Sequence, residues 1–157
     1  MIAFNVGSLM SKHQGTRELF DVDEPLEFEA PGNPKLLQNV KFHLSLLKLP
    51  HEINANVTDL HTAVTATCSR CLKSFCCPID VKSAEREFII DLPKDAVDPG
   101  EDVYYINNRN RIVLDEMIRQ EIILHFPVTA VCSEGCKGLC RECGEDLNMA
   151  GCKHAII

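Results

Sequence analysis

The chain has 157 residues, 45% hydrophobic and 25% charged, enough for one domain with a packed core and a small appendage. Its net charge of −7 and pI of about 5.3 argue against bulk electrostatic grip on a phosphate backbone, which usually brings a basic face or a pI above about 9. No stretch supplies the roughly 20 consecutive apolar residues that a membrane-spanning helix needs.

The opening MIAFNVGSLMSKHQG is not expected to act as a signal peptide. It lacks a basic start, Asn5 and Gly7 break its apolar run, and no small-residue cleavage site follows. A cytoplasmic protein without a membrane partner is therefore expected. Nine cysteines are an odd number, so a complete set of internal disulfides is impossible. In a reducing compartment, paired cysteines point to metal ligands or redox centres.

In chain order, Arg17 to Phe28 (RELFDVDEPLEF) reads as an extended segment interrupted by Pro25, followed by a loop at Ala30 to Pro34 (APGNP). From Val40 the alternation in VKFHLSLLKL predicts a strand that Pro50 closes. EINANV and TAVTAT read as two further strands separated by TDLH around Asp59, in an antiparallel hairpin or meander. The second is rich in β-branched residues and runs directly into Cys68. An extended pattern resumes from Phe75 to Ile90, and DLPKDAVDPGED then reads as a solvated loop.

VLDEMIRQEIILHF (Val113 to Phe126) is the best helix. Leu114, Met117, Ile118 and Ile122 share one face, Asp115 and Glu116 sit in the favourable first turn, and Pro127 ends it. Ile123, Leu124 and Phe126 are expected to widen the buried face. The expected fold is α+β: an antiparallel β-rich core domain over residues 1–127 with its helix at about 114–126. A cysteine-rich, zinc ribbon- or knuckle-like tail over 128–157 would pack on it.

The tail holds most of the chemistry. Cys68-Ser-Arg-Cys71, Cys132-Ser-Glu-Gly-Cys136 and Cys140-Arg-Glu-Cys143 are close pairs, and Cys152-Lys-His154 adds a thiolate and an imidazole. Zinc takes four tetrahedral Cys or His ligands, and pairs spaced by two to four residues supply two at once. Cys143-Gly144 completes the CxxCG form of a zinc knuckle. Proximity groups Cys140, Cys143, Cys152 and His154 in one C-terminal site, leaving Cys68 and Cys71 to meet Cys132 and Cys136. A single site using four of these residues is the alternative. Structural zinc contributes about 10–16 kcal/mol of apparent binding free energy in small modules.

Cys76 and Cys77 fit neither set, since adjacent cysteines rarely aim at one ion, and are expected in the core. His13, His43, His51, His61 and His125 have no metal-like neighbours. A thiol redox motif needs its first cysteine at a helix N-terminus, but LKSFCCPID after Cys71 is not a helix. No HExxH, HxE, Walker loop or GxSxG occurs, so neither an enzyme nor a small-molecule substrate is expected.

TATCSRCLKSF (Thr65 to Phe75), LDEMIRQEIILHFPV (Leu114 to Val128) and VCSEGCKGLCRECGEDLN (Val131 to Asn148) together resemble the YceD family, the large ribosomal RNA subunit accumulation proteins of bacteria and plastids. The resemblance covers most of the second half of the chain. It implies a non-catalytic role in large-subunit biogenesis and 23S rRNA accumulation. The partner would be a large-subunit precursor, reached through rRNA or through a ribosomal protein that the chain chaperones. Relatives commonly end in Cys-x-Cys where this chain has Cys152-Lys-His154. Arg70, Lys73, Lys137 and Arg141 flank the cysteine turns, either as a local basic face towards RNA or as solvated residues offsetting thiolate charge.

Overall fold

Period-two alternation of apolar residues governs the first half of the chain and builds one five-stranded sheet. The computed structural model describes residues 1–29, 34–90 and 104–154. In chain order it contains β1 (Ala3–Asn5), α1 (Gly7–Met10), β2 (Arg17–Glu24), β3 (Val40–Lys48), β4 (Glu52–Thr67), β5 (Ser74–Ile89), β6 (Tyr104–Tyr105), β7 (Arg111–Val113) and α2 (Asp115–His125). The sheet order is β2-β3-β4-β5-β6, antiparallel except for the parallel β5–β6 pair, and β1 pairs with β7 in a separate two-stranded sheet. The α+β, mainly antiparallel class with one main helix is the one expected.

One face of the sheet carries the core. Phe42, Leu44 and Leu46 of β3 alternate inward beside Ile53, Ala55 and Val57 of β4. Met117, Ile118 and Ile122 of α2 belong to the same cluster, as do Ile2, Val6 and Leu9 from the N-terminal segment. Arg86 on the inward side of β5 pairs with the buried Glu121 of α2 at 2.9 Å, which neutralises an otherwise costly buried carboxylate.

Three expectations are corrected. The TDLH stretch is not a turn between two strands: β4 runs through it unbroken. Asp59 takes φ 50° and the register against β3 shifts between Lys41 and His43, a β-bulge. The inward residues before the bulge are Ile53, Ala55 and Val57, and those after it are Leu60, Val64 and Ala66. Without the extra residue, period-two parity would turn the second set towards solvent.

On α2, Ile123 and Leu124 do not widen the buried face; they are 41% and 72% exposed, and Phe126 is half-buried. Cys76 and Cys77 separate by the same parity, Cys77 into the core and Cys76 outward. The loops read at APGNP and DLPKDAVDPGED lie wholly or largely outside the described residues. No described helix is long and apolar enough to cross a membrane.

The helix face is directly testable. Ile118→Ala, which empties a fully buried site between helix and sheet, is expected to cost about 2–5 kcal/mol. Leu124→Ala is expected to stay within about 0.5 kcal/mol. Urea unfolding of the two variants compares them, and equal losses would contradict this packing.

Candidate metal centres

The β4–β5 hairpin ends in a cysteine turn. Its last strand pair is Thr67 with Ser74, and the loop between them is Cys68 to Lys73. The Cys68 N–H donates to the Lys73 carbonyl at 2.8 Å and the Leu72 N–H to the Cys68 carbonyl at 2.9 Å. The second turn repeats this wiring five residues apart: Cys140 N–H donates to the Glu145 carbonyl at 2.7 Å and Gly144 N–H to the Cys140 carbonyl at 2.9 Å. Gly144 has φ 74° and Leu72 has φ 60°. Cys68 to Lys73 is therefore the same knuckle, with leucine in the left-handed position that glycine normally takes. The Cys68–Cys71 pair is a ligand pair expected from its spacing, and its knuckle geometry goes unmarked in the sequence because Leu72 stands where CxxCG has glycine.

After Pro127 the chain returns over the hairpin tip, where Ser69 N–H donates to the Ala130 carbonyl at 2.8 Å. Arg70 then donates to the carbonyls of Glu134 and Cys136, each at 3.0 Å. These contacts bring Cys132 and Cys136 onto Cys68 and Cys71. Gly138 passes so close that an added Cβ would lie 3.0 Å from the Arg70 carbonyl, and its φ is +77°. The ligand atoms of Cys68, Cys71, Cys132 and Cys136 all lie within 4.8 Å of one another, as do those of Cys140, Cys143, Cys152 and His154.

These spacings fit a metal. Sulfurs at about 2.3 Å from a tetrahedral ion stand about 3.8 Å apart, whereas a disulfide requires about 2.05 Å. Sγ–Sγ distances are 3.8 Å for Cys68–Cys136, 3.7 Å for Cys71–Cys132 and 3.6 Å for Cys143–Cys152. All nine cysteines are free. Cys68, Cys71 and Cys136 are buried beside Phe75, Val131 and Leu139. The second cluster is more open, with Cys143 and His154 exposed.

Two residues absent from the expected site, Asn148 and Asp146, join the two clusters. The Asn148 amide donates to Cys136 Sγ at 3.4 Å, and its carbonyl oxygen accepts from the Lys137 N–H at 2.8 Å. Asp146 accepts from both the backbone and the side chain of Asn148 and pairs with Lys73 of the first knuckle. Lys73 therefore holds Asp146 down at about 2. The only sequence signal was Asp146-Leu-Asn148, the spacing of a side chain that caps its neighbour's backbone.

Backbone and charge set the thiols apart. The Cys71 N–H beside its sulfur lowers Cys68 to about 6, and N–H groups of Cys143 and Glu142 lower Cys140. Cys132, facing the Cys136 and Cys71 sulfurs, is pushed up to about 12. In each cluster the neighbouring sulfurs thus keep at least one thiol, Cys132 or Cys143, protonated at neutral pH when no cation is bound.

All eight expected ligands fall into these two groups. Cys76, Cys77 and the remaining described histidines fall into neither. His43 and His61 instead pair with Asp21 and Asp80 on the outer face of the sheet. Of the four basic residues, Arg70 and Lys73 are tied to the carbonyls and the carboxylate just described, while Lys137 and Arg141 are exposed.

The two knuckles make opposite predictions at their left-handed positions. Gly144→Ala is expected to destabilise its turn by about 1–2 kcal/mol. Leu72→Gly is expected to be neutral or stabilising, because Leu72 is 64% exposed and loses no packing. Amide protection at residues 72 and 144 reads both, and lower protection in Leu72→Gly would refute the shared geometry.

No curated protein and no solved structure matches the chain. The family of the large ribosomal RNA subunit accumulation protein YceD matches residues 57–156. That span holds both knuckles, α2 and the whole second cluster, and on this match over more than half its length the chain belongs to the YceD family.

Proposed function

We propose that the chain is a non-catalytic zinc-binding factor that acts in the cytosol to support large-subunit biogenesis and 23S rRNA accumulation. The observation that carries the metal reading is the sulfur spacing of 3.6–3.8 Å in two closed sets of four donors. Membership of the large ribosomal RNA subunit accumulation family supports the ribosomal role.

Zinc suits the sites because it accepts thiolate and imidazole in a tetrahedron and carries no redox chemistry. When bound it would supply structural charge neutralisation, with Cys68, Cys71, Cys132 and Cys136 holding one ion and Cys140, Cys143, Cys152 and His154 the other. Four protein donors leave no open position for a substrate or water, which supports a structural over a catalytic ion. The thiol redox alternative loses support because Cys68 opens a hairpin loop and not a helix.

Elemental analysis of protein purified without chelators tests this. Wild type is expected to hold two zinc ions per chain, with Cys68→Ser and Cys140→Ser each retaining one. Iron in place of zinc, or a protein without metal, would overturn the reading.

The thiol pKa values add a pH signature. Cys132 at about 12 and Cys143 at about 11 are protonated at neutral pH in the metal-free chain, so zinc uptake must release protons. Affinity is expected to rise with pH across the neutral range. It should fall more steeply below about pH 6, where Cys68 also gains a proton. Calorimetry in two buffers of different ionisation enthalpy measures the release, and uptake without protons would contradict it.

A further inference from the structure

Among the described residues, the side chains of two rows on the face of the sheet opposite α2 are exposed or half-buried and carry a regular pattern. Hydrogen-bond register aligns Leu19, Ser45, Asn56 and Glu85 in one row across β2 to β5. The next row is Arg17, Leu47, Asn54 and Glu87. Across the strands the surface passes from Leu19 and Arg17 on β2, through Ser45 and Leu47 on β3 and the amides of Asn56 and Asn54 on β4, to the carboxylates of Glu85 and Glu87 on β5.

The rows are concave. A trough of about 740 Å³ is lined by Leu19, Leu47, Asn54, Asn56 and Glu85 among others, with Arg17 at its β2 end and Glu85 at its β5 end. A second of about 370 Å³ shares Asn54 and Glu85 and adds Glu52 and Glu87. Leu19 is 73% exposed, a large apolar side chain at one end of this channel. Among the described residues no ion pair neutralises Glu52, Glu85 or Glu87.

We propose that this trough docks a basic, extended polypeptide segment of another protein, with an apolar side chain against Leu19 and Leu47 and lysine or arginine against Glu85 and Glu87. Charge complementarity selects this occupant. A nucleic acid strand would be repelled by the carboxylates, and a second copy of this chain carries the same negative charge. The Asn56 amide N–H donates to Glu85 Oε1, which leaves the Asn56 carbonyl oxygen and the Asn54 amide, between the two ends, to meet the peptide groups of a crossing backbone. Four strands at about 4.8 Å spacing give a channel crossed by about four or five extended residues. This docking does not depend on the metal reading, so either can fail alone.

Fluorescence anisotropy of the full-length, metal-replete protein tests the trough with a fluorescein-labelled peptide of alternating lysine, arginine and leucine. Binding is expected to weaken about fivefold in Glu85→Gln/Glu87→Gln, the loss of two screened ion pairs, and measurably in Leu19→Ser. It should stay unchanged in Glu24→Gln/Glu27→Gln, which removes equal charge elsewhere. All four substituted acids and Leu19 are exposed, so wild-type melting is expected throughout. Equal loss in the control pair, or no loss in the trough variants, would overturn the proposal. Binding of a labelled oligouridylate that the trough substitutions weaken would overturn it in favour of RNA.

Discussion

Residues 128–154 are held by the meeting of side chains at the cysteine clusters, the Arg70 and Lys73 contacts and a few backbone bonds, with little apolar packing. Cys68 and Cys136 stand 68 positions apart in sequence, and closing a loop of that length costs several kcal/mol of chain entropy. The apolar material available to offset it is small: Phe75, Val131 and Leu139 around three buried cysteines. The segment contains no helix or named strand, and its one ladder contact is the isolated Leu139–Asp146 bridge. Backbone bonds to the hairpin tip and the Arg70 fork set its direction, and the sulfur cluster sets its distance.

That arrangement makes strand register a condition of the site. The first knuckle is the loop of the β4–β5 hairpin, so its orientation is inherited from pairs such as Leu60–Val81 and Thr62–Ile79 far down the strands. A slip by one residue would turn every side chain of β4 to the other face and carry the Cys68 turn with it. The bulge at Asp59 is how one continuous strand keeps two apolar sets, of opposite parity, on one core. The knuckle's position and the core's packing are thus parts of a single solution.

Much of this was legible, and the failures have physical causes. Strands β3 and β5 announce themselves by alternation, and α2 by its Leu114, Met117, Ile118 and Ile122 stripe. The cysteine pairs converge in the two groups that their order in the chain suggested. Asp59 misled because aspartate serves equally in turns and at bulges, and only the cross-strand partner distinguishes them. Leu72 hid a knuckle because local hydrogen bonds and convergent cysteines can hold a non-glycine residue at positive φ. Leu124 is apolar yet exposed because α2 meets the sheet along a stripe narrower than its apolar content. Asn148 was invisible because its partner, Cys136, is close only once both knuckles have formed.

The distribution of charge follows from the same constraint. Four thiolates around a divalent cation still leave a net negative cluster, so nearby cations have an internal role before any external one. Arg70 meets it by binding the carbonyls that carry Cys136, and Lys73 by pairing with Asp146, which in turn orients Asn148 onto Cys136 Sγ. Removing either positive charge would loosen the sulfur cage before it altered any surface. Arg70 and Lys73 are therefore poor evidence for an RNA-binding face on this chain, whose outer sheet is acidic.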